Sequence, residues 1–128
     1  MRQARTFMVS LVTVVFCAAA FSACASTADM KKTAPALKTA AGSQAEAHNN
    51  EGIEHYKQGH WDVAKKHFME AVKSDPSSAE AHYNLALALD KSGDHHGAIE
   101  HFQKAKELGK DNPAIQQSEI LQAHLKKH

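Results

Sequence analysis

The sequence predicts an all-α fold, a short stack of helical hairpins closed by one extra helix, on two observations. The first is a repeat with a period of about 34 residues. Ala45-Glu46-Ala47-His48-Asn49-Asn50 returns as Ala79-Glu80-Ala81-His82-Tyr83-Asn84, while Gly59, Ala64, His67, Phe68 and Ala71 return as Gly93, Ala98, His101, Phe102 and Ala105. The second is helix punctuation in phase with that repeat. Ser43 with Glu46, and Ser77 with Glu80, each set a capping hydroxyl three residues before a carboxylate. Asp111 or Asn112, backed by Pro113, marks a third start, and Gly59 and Gly93 supply left-handed stops. Helices are expected over 44–58, 61–74, 78–92, 95–109 and 113–126.

Taken in order, the chain opens on a leader-like segment. Arg2 and Arg5 precede an uncharged run from Phe7 to Phe21. As a helix that run would rise roughly 22 Å, short of the roughly 30 Å hydrocarbon core, so residues 1–23 read as a signal peptide and not as a membrane span. Residues 24–43 are poor in large side chains: Met30 and Leu37 are the large apolar residues between Ala25 and Gly42, and Pro35 interrupts a helix. This stretch is expected to be a flexible tether. Residues 44–128 form the folded domain, with repeats at 45–78 and 79–112. Ile115, Ile120, Leu121 and Leu125 give helix 113–126 an apolar side with which to cap the second repeat.

These repeats resemble the tetratricopeptide repeat. In the second unit His82, Leu85, Ala86 and Leu89 stand at that family's packing positions on the first helix, and Ala98, Phe102 and Ala105 on the second. Ala64, Phe68, Ala71 and the closing Pro76 match in the first unit, and Gly59-His60-Trp61 and Gly93-Asp94-His95 match its turn. The resemblance implies two helix-turn-helix repeats and a cap helix, a short α-solenoid. Helix 44–58 departs from the pattern, carrying His48, Glu51 and His55 around Gly52 where the second unit is apolar, and is expected to dock weakly. The segment Phe21-Ser22-Ala23-Cys24 resembles a bacterial lipobox, with Phe21 where that family has Leu or Val. That resemblance implies cleavage before Cys24, acylation of Cys24 and a lipid anchor in the cell envelope, at the periplasmic side of the outer membrane in a Gram-negative cell. An ordinary signal peptide cut near Ala20–Ala25, giving a soluble periplasmic or secreted protein, is one alternative, and an uncleaved anchor is another. Cys17 would leave with the leader, so no intramolecular disulfide is expected.

Charge and motifs exclude several functions. Without Arg2 and Arg5 the 15 basic residues fall one short of the 14 acids, which gives no general attraction to nucleic acid. No nucleophile is accompanied by a base and an orienter, no phosphate loop is present, and no enzyme or cofactor is expected. All ten histidines lie at or after position 48. His48, Glu51 and His55 share a helical face, but the two histidines are roughly 10 Å apart along the axis, too far for an easy common site. They are retained as metal candidates only for the alternative reading, a His-rich metal-binding envelope lipoprotein. His67 and His101 are expected on the outer surface.

The resemblance points instead to an inner groove lined by first helices. Its residues are Asn49, Ile53, Tyr56, Lys57, Tyr83, Asn84, Leu87 and Lys91, with Asp90 beside them. Asn50 and Asn84 repeat at one position. Ile53, Tyr56, Tyr83 and Leu87 are expected to be exposed as an apolar strip for a peptide or helix of an envelope partner, with packing of Ile53 and Leu87 between neighbouring helices as the alternative. A second copy of the chain is a further option. Only Asn84 fits the family's carboxylate clamp, so recognition of an acidic C-terminus is not expected. The function anticipated is a protein–protein interaction adaptor of the cell envelope.

Overall fold

A computed structural model describes residues 34–127. The leader, the lipid-bearing candidate Cys24 and residues up to 33 of the tether lie outside the described residues. Among the described residues six helices follow the repeat: α1 Glu46–Lys57, α2 Trp61–Ser74, α3 Ala79–Lys91, α4 His95–Leu108, α5 Pro113–Gln116 and α6 Glu119–Lys126. Among the described residues there is no strand, and no helix is long and apolar enough to cross a membrane.

Both hairpin turns use the same device. Gly59 at φ 78° and Gly93 at φ 89° take the left-handed conformation that side chains disfavour. In the first turn Gly59 N–H donates to Tyr56 O (3.1 Å) and His60 N–H to His55 O (3.0 Å). Gly93 to Asp90 and Asp94 to Leu89 repeat the pair at 3.1 and 2.9 Å, closing orphan carbonyls at each helix end.

The helix starts differ in detail from expectation. Ser78, not Ser77, caps α3, its Oγ accepting Ala81 N–H at 3.2 Å. Ser77 Oγ is occupied with Asp75 Oδ1 at 2.7 Å in the turn that carries Pro76. Before α1, Ser43 Oγ bonds Thr39 Oγ1 instead of capping the helix, while Glu46 Oε2 reaches back to Gly42 N–H at 2.6 Å. Asn112 caps α5 as expected, accepting Ala114 N–H at 3.0 Å. The single cap helix expected over 113–126 is broken in two. Ser118 adopts an extended backbone, its Oγ caps α6 at Leu121 N–H, and the same Oγ bonds Tyr83 OH at 2.8 Å. A serine whose hydroxyl can serve a new helix start competes with helix continuation, and here a second partner fixes that choice.

Packing follows the alanine–phenylalanine pattern. Ala64, Phe68, Ala71, Ala98, Phe102 and Ala105 are fully buried. Small residues let the paired helices approach, and each phenylalanine fills the space beside the crossing. Helix α3 is buried from Ala81 through Leu89, because α2, α4, α1 and α5 all pack on it. The expectation that the first helix docks weakly is corrected. Gly52, Ile53 and Tyr56 of α1 are buried, and a Cβ added at Gly52 would lie 2.5 Å from Phe68 Cε1. Gly52 lets α1 close onto α2 without the apolar face of its counterpart.

The tether expectation also changes for residues 34–43. Ala34–Ala40 has no regular secondary structure, yet Ala34, Ala36 and Leu37 pack against the core and Thr39 is buried. A short segment can be held without much apolar surface of its own when buried amides meet its backbone.

Ile115 and Leu121 have no exposed surface. Leu121→Ala should therefore cost roughly 2–4 kcal/mol, and deletion of 113–128 more, read as the fall in urea or thermal midpoint by circular dichroism. A Leu121→Ala protein of unchanged stability would refute the capping role of α6.

Candidate functional site

The groove is organised by two side-chain amides. Asn49 on α1 and Asn84 on α3 are fully buried. Asn84 Oδ1 accepts Leu37 N–H at 2.7 Å, and Asn84 Nδ2 donates to Leu37 O at 2.6 Å. One side chain thus grips both main-chain groups of one residue. Asn84 Nδ2 also donates to Asn49 Oδ1 at 2.8 Å, and Asn49 Nδ2 donates to Leu37 O at 2.9 Å. Both lone pairs of that carbonyl are used. Such contacts read an extended backbone and carry no information about its side chains.

Open space lies on both sides of residues 34–40, the strap held by these amides. One groove, of about 680 Å³, runs past Ile53, Tyr56, Trp61 and Lys91. The other, also about 680 Å³, is lined by Tyr83, Pro113, Ser118 and Ile120. Ala34 and Pro35 border both.

The residues expected in the groove are brought together, but the apolar ones are not exposed. Ile53, Tyr56, Tyr83 and Leu87 are 5%, 3%, 2% and 0% exposed, which corrects the reading of them as an open apolar strip. Tyr56 packs edge-on against Trp61 with ring centroids 5.0 Å apart. Its buried hydroxyl finds no hydrogen-bond partner among the described residues, and burial pushes its ionisation well above the usual tyrosine range. Tyr83 packs edge-on against Phe102 at 5.7 Å while its hydroxyl holds Ser118, so it braces the cap. Lys57 is exposed and paired with Glu54 at 2.9 Å. Lys91 Nζ lies 5.7 Å from the Trp61 ring centre and closes one end of the first groove.

Sequence reasoning missed the Asn49–Asn84 pair because the repeat aligns Asn84 with Asn50, which is exposed. Helices α1 and α3 meet one residue out of that alignment. It also missed Leu37 as an occupant, although its standing as a rare large side chain in a small-residue stretch was a usable signal.

Histidines gather in three places. His67 and His101 are not on the outer surface as expected, since each faces the first helix of its own hairpin. His82 Nε2 lies 3.0 Å from Pro76 O and Nδ1 lies 2.9 Å from His101 Nδ1. With Nε2–H given to the carbonyl, His82 Nδ1 must accept from His101. Burial, chiefly, holds both rings below the ordinary histidine range. His67 Nδ1 lies 2.9 Å from Glu51 Oε2, and His48 Nδ1 lies 3.9 Å from it. His55 does not join His48 and Glu51; it stacks on His67 with centroids 5.3 Å apart. Asp90, His95 and His124 form the third group.

A family model described as tetratricopeptide repeat matches residues 49–113, just over half of the chain. The chain belongs to the tetratricopeptide repeat family. Comparison with curated proteins gives no match. As a tetratricopeptide repeat protein it carries a protein–protein interaction module of a generally non-catalytic kind. Its packing alanines and phenylalanines occupy the family's helix crossings, and the match takes in both amides of the strap contact.

The His82–His101 pair makes stability depend on pH. Both folded-state values lie below the unfolded value of 6.5, so the unfolded chain binds protons first. The contribution is unaffected above that value and is lost as pH falls through it. The urea midpoint should drop between pH 7.5 and 5.5, and the drop should be smaller in His101→Gln. Equal drops in both proteins would show that this pair does not carry the effect.

Proposed function

We propose that this protein is an envelope adaptor whose inner-helix groove takes an extended, weakly charged segment of a partner protein, in the manner in which it holds its own residues 34–40. One observation carries the reading: the Asn84 amide grips N–H and C=O of a single residue while Asn49 seconds it at the carbonyl. A peptide with small residues around one medium apolar side chain, like Ala34-Pro35-Ala36-Leu37, suits the contacts. Ile53, Tyr56 and Leu87 serve as the floor, Tyr83 as a brace between floor and cap, and Lys57 and Lys91 as cations at the rim. A partner and the chain's own strap are then competitors. Displacing the strap exchanges one set of main-chain hydrogen bonds for another, so the strap sets a threshold on affinity.

The test uses the chain's own sequence as probe. A protein beginning at Gly42, checked for helicity by circular dichroism, is titrated with a fluorescent peptide spanning residues 31–41. Binding should be measurable, at least tenfold weaker with Asn84→Ala, and weak or undetectable with the strap in place. A folded, truncated protein that ignores the peptide would defeat the groove reading.

The address belongs to the same proposal. The lipobox-like Phe21-Ser22-Ala23-Cys24 supports export and acylation at Cys24, which would place the adaptor on a membrane surface. Mass spectrometry of the mature N-terminus should find an acylated Cys24. An unmodified N-terminus at Ala25 or nearby would rule the anchor out.

A further inference from the structure

We propose that Asp90, His95 and His124 form a binding site for a divalent zinc-class ion that clips the cap helix to the second repeat. Three elements supply the donors. Asp90 lies in the last turn of α3, His95 is the first residue of α4, and His124 sits in the last turn of α6. Their candidate ligand atoms all lie within 4.8 Å of one another. His95 Nδ1 and His124 Nε2 are each 2.8 Å from the same oxygen, Asp90 Oδ1.

His124 carries the argument. Its Nδ1 lies 2.9 Å from the backbone carbonyl of Ile120, which can only accept. In a neutral ring that bond uses the one N–H, and the Nε2 lone pair is then turned on a carboxylate oxygen, acceptor against acceptor. A proton on Nε2 or a metal ion held between the two atoms removes the conflict, and only the ion would make stability respond to zinc. The Nδ1–H to carbonyl bond is also the outer contact that fixes ring orientation in histidine-ligated metal sites.

The surroundings agree. His124 and Asp90 are largely sheltered, with side chains 19% and 16% exposed, and Phe102 backs the His124 ring at 5.2 Å. Asp90 stands at the carbonyl end of α3, where the helix dipole favours a cation. Two imidazoles and one carboxylate make the donor set of open zinc sites, which keep a further position for water. Zinc takes its ligands at about 2.0–2.2 Å, so donors in a tetrahedral shell lie roughly 3.3 Å apart. The present spacing must open by about half an ångström, and His95, with its side chain 68% exposed, is free to swing. The other cluster is weaker: His48, Glu51 and His67 have side chains 43%, 58% and 29% exposed.

The consequence is mechanical. An ion bound here ties α3, α4 and α6 together, the same three elements joined by Phe102, Tyr83 and Ser118. The experiment is calorimetric titration of tag-free protein, residues 25–128, with zinc chloride in a non-coordinating buffer, with the thermal midpoint read in parallel. One ion should bind tightly, at micromolar concentration or below, and the midpoint should rise with zinc. Asp90→Asn and His124→Ala should each weaken binding at least tenfold and abolish the rise, while His48→Ala should leave both intact. Asp90→Asn keeps the side-chain shape and decides the matter if His124→Ala fails to fold. No stoichiometric binding, or binding lost in His48→Ala and kept in Asp90→Asn, would overturn the site.

Discussion

An amide buried inside an apolar helix has to find partners, and much of this molecule is arranged around that need. Asn84 sits in α3 between Tyr83 and Leu85, with no exposed surface. Left unpaired there, its amide would cost about 1–3 kcal/mol. Asn49 meets it from α1, and Leu37 meets it from the strap. The contact therefore joins both repeats to a segment that precedes them. It also explains how a stretch of alanine, proline and threonine comes to be ordered: its main chain, more than its side chains, is what the domain holds.

Helix α3 opens the second hairpin and packs on both helices of the first, on α4 and on α5 of the cap. An array this short cannot share burial evenly among its helices. The outer face of α2 still leaves Val63 and Met69 exposed, at 39% and 52%. Nearly every residue of α3, by contrast, is enclosed. Its two ends are handled differently from its middle. Tyr83 reaches the cap at Ser118, and Asp90 meets histidines of α4 and α6. The polar groups of α3 are thus its points of attachment, while its alanines and leucines fill volume.

The helices and the core were legible because period and punctuation are local properties. The 34-residue repeat aligned Ala64 with Ala98 and Phe68 with Phe102, and these positions are the helix crossings. Gly59 and Gly93 marked both turns to the residue. What escaped depended on contacts between distant parts of the chain. Asn49 pairs with Asn84 instead of its repeat neighbour pairing through Asn50, because the angle between helices, not the repeat, decides which atoms meet. Ser118 breaks the cap helix because Tyr83, far away in sequence, takes its hydroxyl. The polar His48, Glu51 and His55 made the first helix look weakly docked, whereas Gly52 lets it seat against Phe68. The residues expected in the groove lie near one another, but Ile53, Tyr56, Tyr83 and Leu87 are buried, since helix packing, the cap and the docked segment 34–40 all depend on contacts that a repeat pattern does not encode.

If the chain is anchored at Cys24 as proposed, the position of the strap changes how far the domain can stand from that point. If the chain were free up to Ser43, about 19 peptide units would separate the two, a contour of at most roughly 65 Å. With Ala34 docked, only about 10 units remain, at most roughly 35 Å. Seating or releasing one short segment therefore alters the leash by nearly half. In an anchored molecule, filling the groove from outside would do two things at once: engage a partner, and let the whole repeat domain rise away from the surface to which it is tied.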